Sequence, residues 1–146
     1  MLKTITIFIL LLISLGCTDA RMETSTQCEE ENGGYTNKCS IFVYQIKNGT
    51  LPIILAAPKV KNVTVEINAK VEKGSVELWL KDAYQQKTSI IIKSADHNVT
   101  LNGLAEVKES FVDEKPIFKI YIRPLGSFFN KQAQNISIHV RYRPDS

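Results

Sequence analysis

The stretch NVTVEINAKVE, Asn62–Glu72, alternates apolar and polar side chains along its whole length. Its odd-numbered residues are apolar and its even-numbered residues are polar, so an extended chain places every apolar side chain on one face. Strict alternation of this kind predicts a strand with one buried face and one solvent-exposed face. The stretch therefore favours a β protein in which a sheet covers a core.

Other segments from Ser40 onward have the same period of two, and none has the period of a helix. Together they predict about eight short strands: Ile41–Lys47, Ile53–Ala57, Asn62–Glu72, Val76–Lys81, Thr88–Lys93, Asn98–Val107, Ile117–Arg123 and Asn135–Arg143. Short strands in succession predict an all-β fold, an antiparallel β-sandwich of jelly-roll type. The immunoglobulin variant is disfavoured because Cys28 and Cys39 both precede the strands and cannot form its bridge between sheets.

Three turn signals predict how neighbouring strands connect. Residues Glu72-Lys73-Gly74 predict a hairpin that joins Asn62–Glu72 to the strand from Val76. Asn48-Gly49 predicts a second, two-residue hairpin after Ile41–Lys47. Pro52 has no backbone N–H and predicts that its strand lies at the edge of a sheet.

The N-terminus has the pattern of a signal peptide. Lys3 is followed by the apolar run Thr4–Ile13, which is too short to span a bilayer as a mature helix. Gly16-Cys17 resembles the permissive form of the bacterial lipobox, in which the cysteine is acylated and becomes the new N-terminus, although Ser14 departs from the usual Leu. This predicts a signal peptide over residues 1–16, and Cys17 as a lipidation site.

Two other cleavages remain open. Thr18-Asp19-Ala20 has the small-x-small form that ordinary signal peptidase uses, which predicts a signal peptide over residues 1–20 and removal of Cys17. Ordinary cleavage after Gly16 would leave Cys17 as a free thiol. Acylation and removal both leave Cys28 and Cys39 as a pair, which predicts one disulfide in an exported chain. We expect a polar leader or tether over residues 17–39 and a β-sandwich domain over residues 40–146.

The sequence carries little that points to catalysis. It contains none of the common nucleophile, metalloprotease or phosphate-binding motifs. His97 lies in a turn beside Asp96, and His139 is predicted on the solvated face of its strand. We therefore predict a non-enzyme with no cofactor and no metal site. The formal net charge of +3 includes Lys3 and is too small to predict nucleic-acid binding.

Aromatic and basic side chains share the polar faces of three predicted strands. Trp79 is predicted to face the same way as Glu77 and Lys81, and Tyr121 the same way as Lys119 and Arg123. Rings supply apolar contact area and cations supply direction, a combination suited to recognising carbohydrate or protein. The alternative is that these rings only shield a sheet from water. The candidate binding face consists of Trp79, Lys119, Tyr121, Arg123, His139 and Arg141.

Two hypotheses follow for the mature protein. The favoured one is a non-catalytic binding or accessory module, exported and displayed on the cell envelope as a lipoprotein, with membrane contact only through its lipid. The alternative is a secreted eukaryotic glycoprotein acting as an adhesion, ligand or effector domain, with four candidate N-glycosylation sites: Asn48, Asn62, Asn98 and Asn135. Both predict an extracellular protein or carbohydrate as partner, and both leave the oligomeric state open.

Overall fold

The computed structural model describes residues 24–30, 37–127 and 130–145. Over these ranges the chain forms ten strands and no helix, so none of the described residues belongs to a helix that could cross a membrane. The strands are β1 (Thr24–Glu30), β2 (Asn37–Lys47), β3 (Leu51–Ala56), β4 (Asn62–Lys73), β5 (Ser75–Lys81), β6 (Lys87–Lys93), β7 (Val99–Glu106), β8 (Lys108–Glu109), β9 (Pro116–Ser127) and β10 (Asn130–Pro144).

The strands form two packed layers, and every strand pair is antiparallel. Sheet I has the order β1-β2-β10-β4-β7, and sheet II has the order β6-β5-β9-β3, with β8 also paired to β9. The hairpin between β9 and β10 connects the two sheets through the pairs Ser127–Asn130 and Gly126–Lys131. The predicted all-β antiparallel sandwich is confirmed.

Strand β4 shows how the alternating sequence produces the core. Its apolar residues Val63, Val65, Ile67, Ala69 and Val71 are all at most 1% exposed. Residues on β5 and β9 in sheet II supply equally buried side chains to the same core. Complete burial of a Val or Ile side chain stabilises the folded state by about 1.5–3 kcal/mol. The core between the sheets therefore requires an apolar residue at every second position of the strand.

The predicted hairpin between β4 and β5 is wrong. Strand β4 pairs with β10 and β7, whereas β5 pairs with β6 and β9 in the other sheet. Both edges of β4 are occupied, so the chain leaves sheet I at Gly74 and enters sheet II. Gly74 has a φ of 85°, and a Cβ at this position would lie 2.4 Å from the carbonyl oxygen of Gln132. Only glycine fits this corner without displacing backbone.

The predicted hairpin at Asn48-Gly49 is wrong for the same reason. The two residues have φ values of 46° and 84°, the left-handed conformation expected of this dipeptide. However, β2 is already paired with β1 and β10, and the next strand, β3, lies in sheet II. The turn is therefore a second corner between sheets. Within the described residues β3 pairs only with β9, which confirms that Pro52 lies in an edge strand.

The N-terminal part of the described chain is joined to sheet I by a disulfide. Cys28 on β1 lies directly opposite Cys39 on β2, with their Cα atoms 4.1 Å apart, which confirms the predicted bridge. Sheet I thus begins at Thr24, inside the segment that the sequence assigned to the leader. The signal peptide, Cys17, the cleavage sites and residues 31–36 of the disulfide loop lie outside the described residues.

A tyrosine on β10 joins the two sheets by a polar contact. The Tyr142 hydroxyl donates a 2.6 Å hydrogen bond to the carbonyl oxygen of Ala56 on β3, and it accepts one from Nδ2 of Asn37 at 3.1 Å. Its ring packs edge-on against Phe118, with ring centroids 4.7 Å apart. Desolvation by burial raises the pKa of Tyr142, so the residue keeps its proton and its role as a donor.

Candidate ligand-binding face

The six residues of the sequence-predicted binding face do not form one surface. Trp79, Lys119, Tyr121 and Arg123 lie on β5 and β9, on the outer face of sheet II, while His139 and Arg141 lie on β10 in sheet I. Alternation correctly turns all six away from the core. It carries no information on which of two sheets receives a strand, because that choice depends on pairing between distant segments.

His139 and Arg141 belong to a polar network across sheet I. Nδ1 of His139 lies 3.1 Å from Oγ of Ser40 on β2. Arg141 donates from its guanidinium to Oε1 of Glu66 on β4 at 3.4 Å. These cross-strand contacts connect neighbouring strands of the sheet and are typical of a solvated β surface.

On sheet II the two aromatic rings form a cross-strand stack. Trp79 and Tyr121 are paired residues, their ring centroids are 5.5 Å apart, and their planes differ by 14°. Nζ of Lys87 lies 4.6 Å from the Trp79 centroid, and Cζ of Arg123 lies 5.6 Å from it. These neighbours leave Trp79 only 9% exposed. Trp79 therefore supports the face from beneath, and the half-buried Tyr121 is its more accessible ring.

A buried acid holds the cations over this stack. Glu77 is 7% exposed, accepts a 2.6 Å hydrogen bond from Lys87 and a 2.7 Å bond from Nε of Arg123, and also contacts the Nη2 of that arginine. The hydrogen bond from Lys87, with further help from Arg123, lowers the pKa of Glu77 although burial opposes the shift. Glu77 thus carries a full negative charge between strands β6 and β9.

The roles of Glu77 and Lys87 were not predicted from the sequence. Glu77 could have been recognised only as a polar residue on the same strand face as Trp79. Its two partners lie on β6 and β9, and Arg123 is separated from it by 46 residues. The signal that makes Glu77 buried and charged is therefore tertiary.

The outer face of sheet II is strongly basic. On strands β5, β6 and β9 it presents the single acid Glu77 and five cations: Lys81, Lys87, Lys93, Lys119 and Arg123. Lys81 lies directly opposite Lys87 across β5 and β6. Like charges in opposed positions destabilise a sheet. Glu77 forms ion pairs with Lys87 and Arg123 but not with Lys81.

A small pocket lies at the end of this face, where β5, β8 and β9 meet. Its volume is about 100 Å³, and it is lined by Lys81, Gln85, Glu106, Lys108, Ile117, Phe118, Lys119 and Tyr121. Glu106 is engaged by Nζ of Lys108 at 3.2 Å and accepts a hydrogen bond from Gln85 at 3.1 Å. Lys81 and Lys119, in contrast, have no ion-pair partner among residues 24–30, 37–127 and 130–145.

Asp96, which adjoins His97 in the sequence, and Asp113 have local structural roles. Oδ2 of Asp96 accepts a hydrogen bond from the backbone N–H of Lys93, and Oδ1 of Asp113 accepts one from Lys115. Across the described parts of the chain no three His, Cys, Asp or Glu side chains gather where they could hold a metal ion. These residues shape turns, as Asp commonly does.

The four candidate glycosylation sites differ in accessibility. Asn48 and Asn98 are exposed. Asn62 is 9% exposed, and its side-chain oxygen accepts a 3.0 Å hydrogen bond from the N–H of Ala83. Nδ2 of Asn135, the atom that would carry a glycan, donates to Glu72 at 2.8 Å.

No family model matches this chain, and no curated protein matches it. Among solved structures, it is similar to the family 11 carbohydrate-binding module of the cellulosomal cellulase Lic26A-Cel5E of Clostridium thermocellum. The two are 10% identical, the match covers 83% of this chain and 82% of that chain, and the TM-score is 0.36. Likeness at this level says nothing about what the present chain binds.

Proposed function

We propose that this protein is an exported, non-catalytic binding module whose ligand, an extracellular protein or carbohydrate, contacts the outer face of sheet II. The observation that supports this most is the concentration of five cations and the Trp79–Tyr121 stack on one sheet face with a single buried acid. A face with one sign of charge attracts a ligand of the opposite sign and orients it before contact. The Cys28–Cys39 disulfide fits an oxidising, extracytoplasmic compartment.

We infer further that Cys17 is acylated and tethers the module to the cell envelope. Support comes from the Gly16-Cys17 pair after a short basic start and an apolar run. Strand β1 begins at Thr24, and an extended chain from Cys17 to Thr24 spans at most about 25 Å. Such a tether would hold the sandwich close to the membrane that carries the lipid.

A secreted glycoprotein is the second candidate, and the exposure of Asn48 and Asn98 favours it. Intact-mass and N-terminal peptide analysis of the native mature protein, with detergent-phase partitioning, separates the two. Acyl mass at Cys17 supports the lipoprotein. An N-terminus near Arg21 with hexose mass on Asn48 or Asn98 supports the glycoprotein instead.

Charge reversal tests the binding face independently of the anchor. The variant Lys81→Glu/Lys93→Glu reverses two exposed charges on sheet II, and the control Lys70→Glu/Lys73→Glu reverses two exposed charges on β4 in sheet I. We expect the first variant to lose binding to the surface of cells from the native source while the control keeps it. Equal binding by both variants would refute the assignment of the ligand to sheet II.

A further inference from the structure

We propose that the pocket between β5, β8 and β9 binds a sulfate or carboxylate group carried by an extracellular anionic polysaccharide. This rests on the proposed function of the outer face of sheet II and names its ligand class.

Ion pairing divides the cations near the pocket into two sets. Lys87 and Arg123 are bound to Glu77, and Lys108 is bound to Glu106. Lys81 and Lys119 are exposed, line the same pocket, and have no ion pair among the described residues. The lining thus carries three lysines against the single acid Glu106, so an anion in the recess lowers the net positive charge and can accept charge-assisted hydrogen bonds from Lys81 and Lys119.

The size of the pocket restricts what can enter it. About 100 Å³ is far smaller than the cavities that enclose whole small molecules, which run from about 300 to 1,000 Å³. The recess therefore suits a single acidic group whose parent molecule lies outside on the sheet. Tyr121, stacked on Trp79 and half-buried, also lines the pocket. An aromatic ring beside the anion site can pack against the apolar face of a sugar ring.

The charges beyond the pocket favour a polymer with repeated acidic groups. Register places Lys87 directly opposite Lys81 across β6 and β5. Lys119 lies on β9 two residues before Tyr121, the partner of Trp79 on β5. Lys93 extends the positive face along β6. Cations spread along one sheet face can contact successive acidic groups of a linear polyanion.

The test is calorimetric titration of the mature protein, in its native lipid state and with the disulfide intact. The titrants are dextran sulfate for the sulfated polymer, polygalacturonate for the carboxylated polymer, unsubstituted dextran for the neutral polymer, and sodium sulfate for the free anion. We expect binding to one or both charged polymers, no binding to dextran, and weakening as salt is raised. Free sulfate should bind much more weakly than a polymer that also contacts Tyr121 and Lys93.

Two matched variants locate the site. Lys81→Gln/Lys119→Gln removes the two pocket lysines that have no ion pair among the described residues, and Lys70→Gln/Lys73→Gln removes two exposed cations from β4 in sheet I. The first pair should weaken polymer binding by about tenfold or more, as expected when two charge-assisted hydrogen bonds are lost, and the control should change it by less than about twofold. Thermal unfolding of each variant, with unchanged melting expected, confirms that these surface changes leave the fold intact.

Several results would overturn the ligand class. Equal weakening by both variant pairs means unspecific attraction, and binding of dextran as tight as that of dextran sulfate means that the acidic group is irrelevant. Free sulfate binding as tightly as the polymer means that the ligand is a small anion. If no charged polymer binds while cell binding is still lost in Lys81→Glu/Lys93→Glu, the ligand class is wrong and the proposed function stands.

Discussion

The Glu77 ion-pair cluster should make the stability of the sandwich depend on pH in a defined direction. Glu77 receives hydrogen bonds from Lys87 and Arg123, and a bond to a charged group contributes about 1.5–3 kcal/mol. The side chains of these donors are 42% and 49% exposed, so solvent screens part of that energy. We therefore expect Glu77→Gln to lower the free energy of unfolding by about 2 kcal/mol at pH 7.

The sign of the pH dependence follows from the lowered pKa of Glu77 in the folded state. A carboxylate of this kind contributes its full stability above its ordinary pKa of 4.5, and the contribution is lost as the pH falls through the lower folded value. The difference between wild type and Glu77→Gln should thus be constant from pH 7 to about pH 5 and shrink towards zero as the acid is protonated.

Urea unfolding at pH 7, 5 and 3 measures this difference directly. Glu109→Gln, at an exposed position on β8, serves as the matched control and should change stability by less than about 0.5 kcal/mol at every pH. A difference for Glu77→Gln that stays the same from pH 7 to pH 3 would refute the assignment of its effect to the ionised carboxylate.

Three further substitutions test the packing. Gly74→Ala should lower the free energy of unfolding by about 2–4 kcal/mol, because the new Cβ would lie 2.4 Å from the carbonyl oxygen of Gln132 at a φ of 85°. Chemical denaturation measures this loss, and an unchanged midpoint would contradict the corner geometry. Tyr142→Phe should lower the free energy of unfolding by about 1–3 kcal/mol, because the Ala56 carbonyl loses the hydrogen bond from the tyrosine hydroxyl. An unchanged free energy of unfolding would mean that water replaces the hydroxyl. Phe111→Ser should change stability by less than about 0.5 kcal/mol, since this side chain is 106% exposed; a large loss in thermal unfolding would show that its loop packs against the domain.

The strands themselves could be predicted well because each depends on local pattern. The alternation in Asn62–Glu72 predicted which side chains of β4 are buried, and the disulfide was predicted from two cysteines that follow the pattern of a signal peptide. Strand β1 was missed because its seven residues are all exposed and carry no alternation. It is held by pairing with β2 and by Cys28, both of which depend on a neighbouring strand.

The connections between strands could not be predicted in the same way. Glu72-Lys73-Gly74 and Asn48-Gly49 each have the composition of a hairpin turn, and both change the chain direction as expected. A local turn signal fixes backbone dihedral angles only. Whether the following strand pairs with the preceding one depends on whether an edge is still free, and β2 and β4 each have both edges occupied.

The candidate site was likewise predicted in part: the face of each strand was correct, but the neighbours of each strand were not. Side-chain alternation correctly placed Trp79 and Tyr121 on one polar face, where they are paired across β5 and β9. It also grouped them with His139, which lies on the other sheet. The burial of Trp79, the charge of Glu77 and the pocket beside Lys81 all arise where strands distant in sequence become neighbours.

By itself, the sequence determined the period of two, the inward and outward face of each main strand, and the pairing of Cys28 with Cys39, because these depend on properties of adjacent residues or on a single pair. Only the tertiary structure decided which sheet each strand joins, which cations Glu77 neutralises, and which lysines beside the pocket have no ion pair among the described residues. Those properties depend on contacts between residues far apart in the chain, and such contacts are selected by the packing of the whole core rather than by any one segment.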